Sequence, residues 1–332
     1  MTIRTIGIIG GGAWGTGLAA AARRTGAHIT LWARESEVVE DINTHHRNEM
    51  FLPGIGLADD IGATSDLAQA CRADALLLVV PAQHLRATCQ AMKPHLQPGH
   101  PVIICSKGIE QKTGALMSQV AAETLPEASL AVLSGPTFAA EVAKGLPTAI
   151  TLAAADPVLG EKLVGALGSK YFRPYLSDDL IGAEIGGAVK NVIAIACGIV
   201  HGRKFGDNAR AALIARGLAE ISRLGTALGG KPETLMGLSG LGDLTLTCTS
   251  MQSRNFSLGA ALGEGRRLSE ILGERHSVAE GVATTPAVLD LAANHGVEMP
   301  ICAAVDSTIS GDMPVEQVID ELLARPFKTE IL

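Results

Sequence analysis

Lys190 is the most conspicuous reactive group in the chain. It lies in the run Leu180–Val200, which reads as a helix in which Glu184 is nearly its only charged companion. Burying an ammonium ion is expensive unless it is paired or gives up its proton. This lysine is therefore satisfied by a carboxylate from elsewhere in the chain or it faces a ligand, and the ligand reading is the stronger. Gly186, Gly187 and Ala188 leave room on the preceding turn for another body to come close. Downstream, Gly237 to Ser250 reads as a glycine-dense loop carrying Asp243 and Thr247, suited to cradling a polar substrate. Ser253-Arg254-Asn255 then opens a helix. A guanidinium and an amide at that position would bind phosphate by charge, hydrogen bonds and helix dipole together. Ser253 equally suits a plain N-cap. Lys107 follows the apolar run Pro101–Cys105 directly, where a lysine is hard to hide, although a solvated loop lysine is the alternative.

The second group of residues is a turn. Gly10, Gly12 and Gly15 have the spacing G-x-G-x-x-G between the apolar stretch Ile3–Ile9 and the helix-forming run Leu18–Arg24. Gly10 permits the tight turn, Gly12 lets a pyrophosphate approach the backbone, and Gly15 lets helix and strand pack closely. The N–H groups and positive dipole end of the helix then face the phosphates. A strand before the glycines and a helix after them make dinucleotide binding the reading. The next strand, His28–Ala33, ends about 20 residues beyond the glycines, where an acidic residue would grip the ribose hydroxyls of NAD. Arg34 stands there, followed by Glu35. A guanidinium suits a 2′-phosphate, so NADP(H) is favoured and Glu35 keeps NAD(H) possible.

The elements that must position these groups alternate through the first half. Apolar strand-like runs recur at Ala73–Val80, Pro101–Cys105, Leu130–Leu133, Thr148–Leu152 and Tyr171–Tyr175, with helix-like segments between them. That alternation predicts an α/β fold with a Rossmann-type doubly wound parallel sheet over residues 1–180. Ligands in such sheets lie outside the carboxyl ends of the strands, which places Lys107, Gly135 and Thr137 on the rim of the glycine turn. Beyond Ser177 the strand runs stop, and helical runs at 180–200, 208–228, 253–262, 280–294 and 315–324 predict an all-helical second domain over residues 181–332.

Bulk composition closes off other classes. The 332 residues are 47% hydrophobic but only 3% aromatic, so the core must be built from Ala, Val, Ile and Leu. A formal net charge of −7 argues against a nucleic-acid partner, which would require a basic face. The six cysteines show no metal spacing and read as buried reduced thiols. No His/Asp/Glu cluster has ligand spacing, so no metal is expected. The window Ile181–Val200 is apolar but carries Glu184 and Lys190, so no membrane span is expected either. No leader-like segment precedes the first strand, and the expectation is a cytoplasmic protein.

Taken together, these motifs resemble those of the NAD(P)-dependent sn-glycerol-3-phosphate dehydrogenases of the bacterial type. The resemblance is carried by Gly10–Gly15, Leu52-Pro-Gly-Ile55, Ser106-Lys-Gly-Ile109, Ser134-Gly-Pro-Thr-Phe138 and Val189-Lys-Asn-Val192. It continues through Gly206-Asp-Asn208, Gly240-Leu-Gly-Asp243, Thr247-Cys-Thr-Ser250, Ser253-Arg-Asn255 and Glu280-Gly281, in the family's order along nearly the whole chain. It implies interconversion of dihydroxyacetone phosphate and sn-glycerol 3-phosphate, the backbone precursor of phospholipids, by a cytoplasmic homodimer. By carry-over, Lys190 is the general acid/base and also contacts substrate. Lys107, Gly135, Thr137, Asp243, Ser253, Arg254 and Asn255 contact the triose phosphate as well. Gly10, Gly12, Ala13, Trp14, Gly15, Arg34, Lys107, Ala139, Arg254, Val278 and Glu280 fall at cofactor positions. Ala13 departs from the family, which commonly has a serine there; backbone contact survives the change but a hydroxyl contact to phosphate does not.

The residue types suit that chemistry. Hydride addition to a ketone builds negative charge on its oxygen, which a nearby ammonium stabilises and protonates. Two rivals stand beside this reading. One is a two-domain hydroxy-acid dehydrogenase of the 6-phosphogluconate type, which also uses a lysine and an asparagine on an early helix of its second domain. The other is an NADP(H)-sensing module without turnover, which needs the glycine turn but not Lys190, Asp243 and Arg254 together.

Overall fold

Among the described residues ten strands, all before residue 178, set the cofactor-side geometry: β1 Thr5–Ile9, β2 His28–Trp32, β3 Arg47–Asn48, β4 Leu52–Gly56, β5 Gly62–Thr64, β6 Ala75–Leu78, β7 Pro101–Ile104, β8 Ser129–Ser134, β9 Thr148–Ala154 and β10 Phe172–Ser177. The computed structural model describes residues 3–274, 279–311 and 313–326. The chain forms two units, Met1–Lys107 with Met117–Leu180, and Gly108–Leu116 with Ile181–Leu332.

In the first unit eight strands make one sheet in the order β10-β9-β8-β7-β6-β1-β2-β5. β1 runs parallel to both β2 and β6, and β6, β7 and β8 continue in parallel register. Parallel strands covered on both faces read as unbroken apolar runs. Ile8, Ile9, Leu76, Leu77, Leu78, Ile103 and Ile104 are accordingly all fully buried. Each such side chain contributes about 1.5–3 kcal/mol by leaving water.

The doubly wound sheet expected from the alternation is present, with one reversal of direction at an edge. β9 pairs antiparallel to β8, and β10 then follows β9 in parallel. Residues 135–147 hold only the five-residue helix Ala139–Ala143. The connection alone does not dictate the reversal, since β5 and β6 run parallel across residues 65–74, which hold only the four-residue helix Leu67–Ala70. Apolar runs look alike in either direction, so the sequence alone does not reveal the reversal. β5 and the antiparallel pair β3–β4 were also not predicted, being short and glycine-containing.

The second unit is built round the helix Leu180–Gly202, in which every residue from Gly182 to Val200 is buried. A helix apolar on all sides belongs in a core or a membrane. This one is long and apolar enough to cross a bilayer, with mean hydropathy 1.6, yet 94% of its most apolar window is buried inside the protein. Helices Asp207–Ala227, Arg254–Gly263, Glu280–Asn294 and Pro300–Ser310 contribute to the same core. At Gly198 and Gly259 the approach is backbone to backbone. A Cβ on Gly198 would overlap the Phe256 carbonyl oxygen, and one on Gly259 would overlap that of Ile195. Small residues at that crossing let the start of the Arg254 helix lie beside Asn191. Residues 108–116, which the sequence places in the first domain, pack here instead: Ile109 and Leu116 enter the helical core, and the Gln111 amide donates to the Ala283 carbonyl at 3.0 Å. All six cysteines are buried and unbridged. Burial pushes the Cys71 and Cys89 thiols up to about 11, so neither is a thiolate near neutrality.

Candidate active site

The glycine turn has the geometry its spacing demands. Gly10 has φ +129°, and a Cβ there would lie 2.9 Å from the Val79 carbonyl. Gly15 opens the helix Ala13–Arg23 so tightly on the turn that a Cβ would overlap the Gly10 carbonyl oxygen. Gly12, the N-cap, differs from both: nothing among the described residues lies within 4 Å of where its Cβ would be. Ala13 and Trp14 follow in the first helical turn, and the Trp14 indole N–H is a buried donor without a partner among the described residues. An open approach at Gly12 and orphan donors at a helix start fit the pyrophosphate of a dinucleotide.

Arg34 sits two residues past the end of β2, and its side chain is 80% exposed. Its guanidinium is folded onto Glu35, with Nη2 at 2.9 Å from Oε1 and Nε at 3.2 Å. The two residues read from sequence as competing signals for the ribose thus hold each other.

Lys107 follows β7, and its Nζ donates to the Gly135 carbonyl at 3.0 Å, just past β8. The Thr137 hydroxyl donates to the same oxygen at 3.2 Å. β7 and β8 are parallel to β1, so these groups lie at the carboxyl ends of the strands, as does the glycine turn. Ala139 starts the short helix that packs on the glycine helix; a Cβ on Gly17 would lie 2.9 Å from the Ala139 carbonyl oxygen.

In the helical unit, Lys190 Nζ donates to Asp243 Oδ1 at 2.5 Å and to Thr247 Oγ1 at 2.8 Å. The two charged side chains are 7% and 1% exposed. The alternative raised from sequence, an unseen carboxylate, is therefore realised, and that carboxylate is Asp243. The segment read as a loop is in fact a five-residue π-helical turn, Leu238–Gly242, running into the helix Asp243–Cys248. This places Asp243 and Thr247 one turn apart on the face toward Lys190. Gly186 also finds its close neighbour here: a Cβ would overlap the Ser239 carbonyl oxygen, so the space is filled by backbone. The Thr247 hydroxyl donates to the Asp243 carbonyl at 2.6 Å, which leaves its lone pairs to accept from Lys190.

Asn191, adjacent to the lysine, accepts from Asn255 Nδ2 at 2.9 Å, and Asn255 Oδ1 accepts from the Gly281 N–H at 2.9 Å. The amide of Asn255 thus ties three helices together. Ser253 caps its helix by accepting from the Phe256 N–H at 3.2 Å. Arg254, next in line, is exposed at the first turn of that helix. Its surroundings pull its pKa down by desolvation while Glu280 opposes the fall. Glu280 is the half-buried first residue of the helix Glu280–Asn294. Val278 lies outside the described residues. Sequence reasoning missed Asn48, a buried asparagine whose amide reaches the glycine turn.

A sheet with a glycine turn at its carboxyl rim, followed by a helical unit holding a buried lysine–carboxylate pair, is the build of a two-domain dinucleotide-dependent dehydrogenase. Residues 5–159 match the family model described as NAD-dependent glycerol-3-phosphate dehydrogenase N-terminus, and residues 179–320 match its C-terminus. A relative from Parvibaculum lavamentivorans, named glycerol-3-phosphate dehydrogenase [NAD(P)+], is 57% identical over 99% of both chains. One of the same name from Rhodospirillum rubrum is 62% identical over 98% of this chain and 93% of that one. The crystal structure of glycerol-3-phosphate dehydrogenase from Coxiella burnetii superposes with a TM-score of 0.93 at 40% identity, covering 97% of this chain and 99% of that one. The chain belongs to the NAD-dependent glycerol-3-phosphate dehydrogenase family and is an oxidoreductase.

Proposed function

We propose that this enzyme interconverts dihydroxyacetone phosphate and sn-glycerol 3-phosphate, with Lys190 as the proton donor to the ketone oxygen. The observation that carries this is the buried contact of Lys190 with Asp243 and Thr247. An ammonium held there is aimed and kept from water, as a general acid must be. When bound, the nicotinamide dinucleotide supplies the hydride. Gly10, Gly12, Ala13, Trp14 and Gly15 hold its pyrophosphate, and Arg34 meets the 2′-phosphate of NADP(H), the favoured form. In the reducing direction one N–H bond of Lys190 breaks and an O–H bond forms on the substrate oxygen. Asp243 and Thr247 keep the amine in place through that transfer. Arg254, at a helix start, takes the phosphate of the triose by charge and dipole, with Ser253 and Asn255 fixing the turn that presents it. Lys107, Gly135 and Thr137 offer polar groups to the substrate at the rim of the sheet. The motif resemblance further leads to a cytoplasmic homodimer that supplies the glycerol backbone of phospholipids, which light scattering and cell fractionation would test.

Oxidation of NADPH with dihydroxyacetone phosphate, compared with a panel of 2-keto acids, tests the substrate. Preference for a keto acid would turn the reading to a hydroxy-acid dehydrogenase. Lys190→Ala should abolish turnover while dinucleotide still binds; an unchanged rate would remove Lys190 from the mechanism.

A further inference from the structure

A glycine turn cradles an anion only if its peptide planes face the right way, and glycines do not enforce that themselves. In this chain the enforcement comes from outside the turn. Asn48 is 1% exposed and stands in the two-residue strand β3 between the exposed Arg47 and Glu49. Its Nδ2 donates to the Gly11 carbonyl at 2.8 Å and to Thr16 Oγ1 at 2.8 Å. The Thr16 hydroxyl in turn donates to the Gly12 carbonyl at 3.0 Å. One amide thus grips two consecutive peptides of the turn, one directly and one through a hydroxyl relay.

The consequence follows from peptide geometry. In a trans peptide the C=O and the next N–H point in opposite directions, and no cis bond occurs among the described residues. Drawing the Gly11 carbonyl in toward Asn48 turns the Gly12 N–H out. Drawing the Gly12 carbonyl along the helix toward Thr16 turns the Ala13 N–H out. Those are the donors an anion at the open face of Gly12 would meet.

Asn48 is itself held independently of the turn. Its Oδ1 accepts from the Phe51 N–H at 3.2 Å, and Asn48 pairs with Leu52 of β4. Leu52 and Ile55 are buried against Ala20 of the glycine helix and Ala143. This gives the Leu52-Pro-Gly-Ile55 segment a purpose: it is the mount for Asn48. Alanine at position 13 sharpens the point. With no hydroxyl there to reach a phosphate, the cradle relies on backbone N–H groups, whose direction is what Asn48 controls.

We propose that Asn48, acting through Thr16, is a positioning residue for dinucleotide binding, orienting the Gly12 and Ala13 N–H groups toward the pyrophosphate. The proposal rests on reading the glycine turn as the pyrophosphate site. The test measures Kd for NADPH by calorimetry, KM for both substrates and the melting temperature of each variant. Asn48→Ala, and the isosteric Asn48→Asp, which cannot donate to the Gly11 carbonyl, should raise the NADPH Kd by about tenfold or more, the loss of one well-aimed charge-assisted contact. The KM for dihydroxyacetone phosphate should stay within about twofold. Thr16→Ser, which keeps the relay, should bind NADPH like the unmodified enzyme, and Thr16→Val should bind it less tightly. A folded Asn48 variant with unchanged NADPH affinity would overturn the proposal, as would equal losses for both substrates. Should both Asn48 variants fail to fold, the comparison of Thr16→Ser with Thr16→Val decides, equal affinities overturning it. Gly12→Val separates the underlying reading: retained NADPH binding there would remove the turn as the pyrophosphate site, whatever Asn48 does.

Discussion

The pairing of Lys190 with Asp243 makes a quantitative demand on the stability of the helical unit. Their side chains are 7% and 1% exposed and meet at 2.5 Å, so removing one leaves a buried charge without its partner. Breaking such a pair costs about 3–5 kcal/mol, whereas replacing both members by apolar groups is often neutral. Asp243→Leu and Lys190→Met should therefore each destabilise strongly, while the double substitution should lie far nearer the unmodified protein than the sum of the two. At roughly 2–4 °C per kcal/mol for a unit of this size, each single variant should melt about 6–20 °C lower. Both tryptophans, Trp14 and Trp32, lie in the first unit, so indole fluorescence would be blind to the event. Calorimetry, or ellipticity at the helical band, is the suitable assay. Single variants within about 1 kcal/mol of the unmodified protein, or a double variant equal to the sum, would refute the reading of this contact as a buried compensated charge.

Three further outcomes follow from other contacts. Glu35→Gln should free the Arg34 guanidinium for a 2′-phosphate, lowering the KM for NADPH by up to about fivefold, the worth of an exposed pair, with NADH little affected; equal changes for both cofactors would remove Arg34 from their discrimination. The Asp74 carboxylate accepts from the N–H groups of Arg4 and Thr5 at the start of β1, which holds it below the usual carboxylate range. A depressed pKa contributes stability above the unfolded value that is lost as pH falls through the folded one, so Asp74→Asn should flatten the acid limb of a stability–pH curve, and an unaltered limb would contradict that. Glu220 caps the helix Pro300–Ser310 by accepting from the N–H groups of Ile301 and Cys302, yet burial pushes its pKa up. A raised carboxyl pKa reverses the sign: stability falls as pH rises from the unfolded value through the folded one. Glu220→Gln should remove that decline, which urea melts across the range from acid to neutral would detect.

What could be read in the sequence was whatever a single residue type decides locally. Gly10 and Gly15 announce themselves because only glycine tolerates a +129° φ at the one and a carbonyl against the Cα at the other. Lys190 stands out because its neighbours are apolar in every direction round the helix. What could not be read depended on pairing across distance. β9 runs antiparallel to β8, and its apolar run gives no sign of direction. The Asp243–Cys248 helix was hidden because Gly237, Gly240 and Gly242 crowd the residues before it, while what holds it, Leu244 and Cys248 in the helical core, depends on distant partners. Asn48 was invisible as one polar residue in a charged stretch, since its importance lies in what its amide reaches.

The same distinction explains how the proposed acid is aimed. A lysine amine on a flexible four-carbon stem has no inherent direction. Two of its three N–H bonds are assigned here, one to Asp243 Oδ1 and one to Thr247 Oγ1. Tetrahedral geometry at nitrogen then fixes the direction of the third. Thr247 can play its part only as an acceptor, because its own proton goes to the Asp243 carbonyl one turn back. That back-bond belongs to the helix Asp243–Cys248, and the π-helical turn leading into it lies with the Ser239 carbonyl against Gly186. A side chain at position 186 would therefore act on the direction of a proton at position 190 without touching it, by pushing away the turn that delivers both of the lysine's partners.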